Sequence, residues 1–364
     1  MKNTKFPLPA LFILCFLVSN LSYSQLSDTL ATKKTNALYN NLVKISGKSV
    51  MFGHQDDLAY GVNWWGEKGR SDVKDVANDY PAVFGWEFSK LGQRAYNIDS
   101  VNFKDMKKWI KWVYKKGGIN TVGWHLDNLT TGGNSWDNSP SVPDILPGGD
   151  KHQLYVSKLD LFAEYTGKKI PILFRPFHEM TGGWFWWGKG NCEPDYYKQL
   201  WQFTVDYLRG NKGMHNLILI YAPDRTESVE EYLEFYPGDD YVDVLGLDIY
   251  DNVRRNNYVE TVTRQLEYVY DEAEKRNKLM AFTETGLEAI PKEDWFTNSF
   301  QKAILANAKT SKIIYALVWR NANRNKNSDH YYAPYSGHAS EENFVKFYEN
   351  PQILFLNDLK DLYK

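Results

Sequence analysis

The chain has 364 residues, and its 43 Lys and Arg against 45 Asp and Glu give a formal net charge of −2, so no basic footprint suggests a nucleic-acid partner. A chain of this length buries a sizeable core without staples, and α/β barrels often reach this size as one domain. Aromatic residues make up 16% of the chain, with 13 Trp and 25 Tyr, so part of this aromatic surface is available to contact ligands.

The first 24 residues have the pattern of a secretory signal peptide. Lys2 and Lys5 precede the apolar run LFILCFLV, and the small residue Ser24 stands at the expected cleavage point. A lipoprotein signal would need small residues before Cys15, which instead follows the apolar pair IL. We therefore predict cleavage after Ser24 and a secreted or periplasmic protein without a membrane anchor.

Residues 25–364 are expected to form one domain. Cys192 is the one cysteine left after cleavage, so an internal disulfide is excluded. No later segment is long and apolar enough to span a membrane. We expect this domain to act as a monomer.

Eight apolar or β-branched runs alternate with amphipathic stretches along this domain. Two of the stretches, VNFKDMKKWIKWVYKK and YVETVTRQLEYVYDEAEKR, repeat apolar residues every three or four positions, which is typical of helices. Continuous apolar strands separated by helices predict a parallel sheet, and eight such units predict a closed (β/α)8 TIM barrel. A doubly wound open sheet is the rival, but no glycine-rich dinucleotide fingerprint follows the first strand. The predicted strands are 49–55, 81–88, 119–126, 172–179, 216–223, 242–250, 279–286 and 313–320.

Nearly every predicted strand ends in polar or aromatic residues. Barrel active sites collect at the carboxyl ends of the strands, where side chains from separate strands converge. Any one of these residues could be a hydrogen-bonded core group, but burying so many together is costly without a purpose. The strand ends in question are His54-Gln55, Trp86-Glu87, Trp124-His125, His178-Glu179, Asp248 with Tyr250, Glu284 and Trp319-Arg320.

Glu179 and Glu284 end the fourth and seventh predicted strands. Two carboxylates across a sugar cleft cleave a glycosidic bond, because one protonates the leaving oxygen while the other attacks or activates water. The zinc-protease motif HExxH fails, since Gly182 stands where the second histidine is required, and no GxSxG turn supports serine chemistry. A structural ion pair between Arg175 and Glu179 is the non-catalytic alternative for the acid.

Several motifs together resemble glycoside hydrolase family 26. They are RPFHEMTGGWFWWG at 175–188, GLDIY at 246–250, FTETG at 282–286 and ALVWRN at 316–321. The resemblance covers essentially the whole chain after the signal peptide. It implies a retaining glycosidase with Glu179 as proton donor and Glu284 as nucleophile. Most characterised bacterial members of this family are endo-β-1,4-mannanases, so the implied substrate is β-mannan or manno-oligosaccharides.

The same resemblance implies roles for residues around the two carboxylates. His178 would touch the sugar in the −1 subsite, the ring being cleaved, and Tyr250 would hold the nucleophile. Trp184 would stack near the cleavage point, while Trp319 would form the floor of the −1 subsite and Arg320 would reach the −2 sugar. Less specific stretches suggest sugar contacts for three further residues, and three tryptophans are expected to pack in the core. The first three are Glu87, His125 and Trp136, and the packing residues are Trp186, Trp187 and Trp201.

The two carboxyl groups should differ in protonation for this chemistry. Tyr250 and Arg175 are expected to keep Glu284 ionised, while a nearby carboxylate and surrounding indoles should raise the pKa of Glu179. The reaction needs no metal or cofactor, and no His, Cys and carboxylate set has catalytic zinc spacing.

Substrate identity is less sharply indicated than the reaction. The family also contains enzymes for mixed-linkage β-glucan and β-1,3-xylan, and these share the same carboxylates. The Trp319-Arg320 pair resembles the mannanase pattern and favours mannan. A non-catalytic glycan-binding barrel is the alternative from another class, and the intact Glu pair argues against it.

Overall fold

Eight parallel strands form the centre of the molecule. The computed structural model describes residues 25–322 and 329–364, so the predicted signal peptide lies outside the described residues. The strands are β1 (Val50–Gln55), β2 (Val83–Glu87), β3 (Ile119–Trp124), β4 (Ile172–Pro176), β5 (Leu217–Tyr221), β6 (Val244–Tyr250), β7 (Leu279–Gly286) and β8 (Ile313–Val318). Neighbours in chain order pair in parallel, and β8 pairs back onto β1. The predicted (β/α)8 barrel is confirmed.

Helices cover the outside of the barrel and fill the connections between strands. The two predicted helical patterns correspond to the helices Phe103–Lys116 and Tyr258–Arg276. The α-helices are α1 (Lys33–Ile45), α2 (Asp72–Ala77), α3 (Phe103–Lys116), α4 (Val142–Ile145), α5 (His152–Thr166), α6 (Pro194–Asp206), α7 (Val229–Leu233), α8 (Tyr258–Arg276), α9 (Lys302–Ile304) and α10 (Glu341–Tyr348). The short hairpin Tyr60–Gly61 with Trp64–Trp65 follows β1, and Ile353–Leu354 adds a parallel pairing to β1. No helix among residues 25–322 and 329–364 is long and apolar enough to cross a membrane.

Helix α3 shows how sequence determines these outer elements. Its buried side chains recur at helical spacing, which gives one apolar face toward the strands. The Asn102 side chain caps the first turn by accepting from the amide of Lys104. Gly117 ends the helix at φ 87°, a left-handed conformation that glycine adopts without steric cost. The buried face consists of Phe103, Met106, Ile110 and Val113.

The strands alternate between two apolar clusters, as a barrel requires. In β1, Met51 belongs to one cluster and Phe52 to the other, and Leu173 and Phe174 alternate in the same way in β4. The cluster that contains Met51 also includes side chains of α1, which lies against the residues that precede the strands. Helix α1 therefore closes the amino end of the barrel and leaves the carboxyl end for chemistry.

Several strands stop short of their predicted ends, among them the two that precede Glu179 and Arg320. The run 172–179 is extended only to Pro176, and the run 313–320 only to Val318. Phe177 then takes φ 46° and turns the chain. Glu179 and Arg320 consequently lie in the loops above the barrel rather than on its strands.

Candidate active site

The predicted site residues come together at the carboxyl ends of the strands. Glu87 is the last residue of β2, and His125 directly follows β3. His178 and Glu179 follow β4, whereas Glu284 lies near the end of β7. The remaining predicted contacts flank these groups, with Tyr250 at the end of β6 and Trp319-Arg320 beyond β8.

Glu284 is buried and held by two donors. The Tyr250 hydroxyl donates to Oε1 at 2.6 Å, and Nη2 of Arg175 donates to Oε2. Burial and the adjacent Glu284 raise the pKa of Tyr250 well above its usual value, so its hydroxyl keeps the proton that it donates. The predicted support of Glu284 by Tyr250 and Arg175 is confirmed. One carboxylate is thus fixed in orientation by its hydrogen bonds.

Arg175 bridges Asp248 and Glu284 rather than pairing with Glu179. Its Nη1 bonds Asp248, while Nη2 bonds Glu284, and its side chain is buried. Burial opposes the charge, but Asp248 and Glu284 outweigh burial and raise the pKa of the guanidinium. The proposed Arg175–Glu179 ion pair is absent from the described contacts of either residue. Arg175 therefore supplies a permanent positive charge under the nucleophile candidate.

Glu179 occupies a strained turn beside β5. Its φ is 54°, a left-handed value that few non-glycine residues adopt and that often marks functional sites. The Glu179 amide donates to the carbonyl of Ala222 at 2.7 Å, and the Trp184 indole donates to Oε2 at 2.8 Å. Burial, and then the charges of Glu284 and Asp248, raise its pKa well above the usual value. The predicted rise in the pKa of Glu179 is confirmed in direction.

Two histidines in contact carry opposite pKa shifts. The His125 ring lies 4.5 Å from the His178 ring, edge to face. Burial lowers the pKa of His125, but Glu87, whose Oε2 is 2.7 Å from its Nδ1, reverses this effect and raises it. Burial, Arg175 and His125 together lower the pKa of His178 well below its usual value. The site therefore offers a neutral imidazole at His178 next to a cation-favouring one at His125.

Glu87 lies behind His125 and bonds protein groups with both oxygens. Oε1 accepts from the amides of Ser89 at 2.6 Å and His125 at 2.8 Å, and Oε2 faces the His125 ring. Glu87 is 1% exposed. The structure thus places Glu87 as the support of His125, and its predicted sugar contact stays a prediction.

Five tryptophans singled out in the sequence divide into exposed and buried sets. Trp184 and Trp136 are 38% and 48% exposed above the barrel, and Trp136 stacks on His125 at 5.3 Å. The other three are fully buried, and each indole N–H donates to a backbone carbonyl, which confirms that they pack in the core. They are Trp186, Trp187 and Trp201.

Comparisons with known proteins agree with this geometry. Residues 27–335 match Glycosyl hydrolase family 26. The chain belongs to this family. A mannan endo-1,4-beta-mannosidase of Bifidobacterium adolescentis is 32% identical over 92% of this chain, and the match spans 36% of that protein. One from Bacillus subtilis strain 168 is 31% identical over 68% of either chain. The solved family 26 beta-mannanase BoMan26A of Bacteroides ovatus is 42% identical, with a TM-score of 0.86, and covers 92% of this chain and 98% of its own.

Arg320 of this family 26 chain contacts protein groups on the opposite side of the site from Glu179. Its Nε lies 3.0 Å from Asp99, and its Nη1 donates to the Tyr60 hydroxyl at 3.4 Å. An open cavity of about 470 Å³ adjoins the guanidinium and leaves room for a sugar. The structure pairs Arg320 with Asp99, an acid that no sequence motif links to Arg320.

Replacing Arg320 with alanine tests whether it grips the −2 sugar. If it does, kcat/KM on short manno-oligosaccharides should fall by the equivalent of about 1.5–3 kcal/mol, the range for charged hydrogen bonds, and long mannan should suffer less. Kinetics on both substrates, beside a thermal melt, measure this. The matched variant Asp99→Asn removes only the ion pair. An even loss across lengths with a falling Tm would show that Arg320 is structural.

Two carboxylates near the site were missed in the sequence. Asp224 lies three residues beyond the end of β5 at Tyr221, so its position after a buried strand was an available signal. Asp99 lies in the loop before α3, where no pattern indicated that it would meet Arg320. Tyr332 was also missed, and its ring packs at 5.6 Å against Tyr250.

Chelation is expected to leave the activity of this family 26 chain unchanged. No group of three or more His, Cys, Asp or Glu side chains in the described part of the chain is placed to hold a metal ion. Hydrolysis by two carboxylates needs no Lewis acid. Rates measured before and after dialysis against EDTA should agree. A loss that a divalent ion restores would reveal a metal requirement.

Proposed function

We propose that the chain is a secreted endo-β-1,4-mannanase that retains anomeric configuration. The observation that supports the proposal is that Glu179 and Glu284 lie in one site but in different electrostatic environments. Glu284 is fixed by Arg175 and Tyr250, whereas the pKa of Glu179 is raised by burial and by Glu284. Similarity to named mannan endo-1,4-beta-mannosidases supports mannan as the substrate.

The first step uses the two groups in opposite roles. Glu284 attacks the anomeric carbon while Glu179 gives its proton to the leaving oxygen, so the C–O bond breaks and a glycosyl ester forms. Esterification removes the negative charge of Glu284, which lowers the preference of Glu179 for a proton. Glu179 then takes a proton from water, and the resulting attack releases the sugar and restores both groups.

The surrounding residues bind the sugar in this scheme. Neutral His178 and cationic His125 donate hydrogen bonds to hydroxyls of the −1 ring, and Trp319 forms its floor. Trp184 stacks on the leaving sugar, since its indole lies next to Glu179 and is exposed. Arg320 holds the −2 sugar at the other end of the cleft.

A reducing-end assay on purified protein tests the proposal. Mannan, glucomannan, mixed-linkage β-glucan and β-1,3-xylan are compared at equal mass, and early products are examined by NMR for their anomeric form. Preference for mannan with β-anomers formed first is the expected result. A preference for glucan or xylan would show that the chain is a mixed-linkage β-glucanase or a β-1,3-xylanase of the same family. Binding to mannan without turnover on any of the four polymers would indicate a non-catalytic glycan receptor.

Export is proposed from residues 1–24 alone. Their charged start, apolar run and Ser24 match a cleaved signal. Mass spectrometry of the protein recovered from periplasm and medium should find a chain that begins at Gln25. An intact amino terminus confined to the cytoplasm would refute export.

A further inference from the structure

The loop after β4 turns back so that Trp184 contacts the acid/base. The carbonyl of Glu179 accepts from the amide of Gly182 at 3.0 Å, which closes a tight turn directly after the acid. The Thr181 hydroxyl in the middle of this turn donates to the carbonyl of Asp224 at 3.1 Å, beyond β5. The turn is therefore held from outside, and it fixes the position of Gly182 relative to Glu179.

Gly182 lies directly under the indole of Trp184. A Cβ atom on Gly182 would lie 2.2, 2.3 and 2.4 Å from Cη2, Cζ3 and Cζ2 of that indole. Three nearly equal distances place the Cβ position over a face of the benzene ring rather than at its edge. The distances are far below van der Waals contact, so a side chain fits at this position only if the indole moves. The φ of Gly182 is not positive, so glycine is needed here for space and not for backbone conformation.

The indole in this position forms a hydrogen bond to the acid/base. Nε1 of Trp184 donates to Oε2 of Glu179 at 2.8 Å. An indole N–H can only donate, and the carbonyl oxygen of a carboxylic acid is its better acceptor, so this bond leaves the acid proton on Oε1. Trp184 is 38% exposed, and Gly182 covers one face of its ring, so the opposite face is available to the leaving sugar.

We propose that Gly182 is a positioning residue for the proton transfer, because its missing side chain allows Trp184 to lie against Glu179. This inference rests on the proposed function, in which Glu179 protonates the leaving oxygen. The O–H bond at Oε1 breaks, and the leaving oxygen takes the proton as it takes the electron pair of the broken C–O bond. The indole N–H stays bonded to Oε2 throughout. The same contact therefore orients the carboxylate that accepts a proton from water in the second step.

Gly182→Ala tests the inference by adding one methyl group under the indole. The indole should move rather than the backbone, because the atoms that the methyl group meets belong to the far end of a partly exposed side chain. Aryl mannosides with phenols of graded acidity measure the effect, since the need for a proton grows as the phenol becomes a weaker acid. For weakly acidic phenols kcat/KM should fall about 10–100-fold, and for strongly acidic ones less than about 3-fold.

Two further variants separate this role from a structural one. Trp184→Phe keeps an aromatic face but removes the N–H donor, and it should show the same dependence on the acidity of the phenol. Gly210→Ala adds a methyl group at an exposed glycine, where no atom lies within 4 Å, and should keep wild-type rates. An equal loss across all phenols in Gly182→Ala or in Trp184→Phe would overturn the inference.

Indole N–H resonances of 15N-labelled protein test the contact without reference to activity. The Trp184 resonance, assigned by its absence in Trp184→Phe, should shift as Glu179 titrates in the wild type. This shift should vanish in Glu179→Gln and in Gly182→Ala, and an unchanged titrating resonance in Gly182→Ala would overturn the role of Gly182. Wild-type protein inactive on every mannoside would instead refute the proposed function, whereas this resonance would still decide whether Gly182 places Trp184 against Glu179.

Discussion

Replacing Glu284 with alanine is expected to lower kcat on every β-mannan by at least about 10⁴-fold, because loss of a covalent nucleophile removes the intermediate itself. Binding of manno-oligosaccharides should remain measurable, since Trp184, His125 and Arg320 are untouched. Titration calorimetry on the variant beside steady-state rates on mannan checks both parts. Arg175 keeps Asp248 as a partner, so the variant should fold.

Chemical rescue identifies the role of Glu284 more sharply than loss of rate. Alanine leaves space beside the anomeric carbon, and azide added with an activated aryl mannoside should occupy it and give the α-mannosyl azide. Glu164→Ala, at an exposed position on helix α5, is the matched control and should keep wild-type rates. Substantial residual hydrolysis in Glu284→Ala without an added nucleophile would remove Glu284 from its role.

The barrel and its two carboxylates were predictable because burial leaves a clear pattern. All eight observed strands lie within the predicted runs, since a strand covered on both faces must be continuously apolar. Glu179 and Glu284 stood out because each interrupts such a run at its carboxyl end. That contrast exists in the sequence itself and needs no knowledge of which strands are neighbours.

Only some partners across the barrel could be predicted. The support of Glu284 by Tyr250 and Arg175 was expected, but the bond from Arg175 to Asp248 was not. Arg175 and Glu179 are close in sequence, which suggested an ion pair. The chain turns after Pro176, however, so the two side chains point in different directions. Arg175 points instead to Asp248 and Glu284 on β6 and β7. Such contacts depend on strand register and loop paths, which periodicity does not encode.

The strained turn at Glu179 is a second feature that could not be predicted from the sequence. Local preference places a non-glycine residue in an extended or right-handed helical conformation, yet Glu179 adopts φ 54°. The bonds of its amide to Ala222 and of its side chain to Trp184 hold this geometry from outside the segment. The sequence therefore identified Glu179 but not the backbone turn that orients its side chain.

Replacing Glu179 with alanine is expected to cut kcat/KM on mannan by about 10²–10⁴-fold, the usual contribution of general acid catalysis. Aryl mannosides with strongly acidic phenol leaving groups should lose little in the first step, because such groups depart without a proton. Slow hydrolysis of the ester should then appear as a burst of phenol, since Glu179 is also the base for water. Stopped-flow kinetics on both substrate types measures the contrast.

The pH dependence and stability of the matched variant Glu179→Gln complete the test. The raised pKa of Glu179 means that the folded state disfavours its ionised form, so this group destabilises the protein increasingly as pH rises above the unfolded-state value. Glutamine removes that penalty and keeps the bond from Trp184, so Tm near pH 7 should equal or exceed that of the wild type. The basic limb on aryl mannosides should also disappear, because no acid remains to be deprotonated. An equal rate loss on polysaccharide and aryl substrate, together with a lower Tm, would assign Glu179 a structural role instead of the proton transfer.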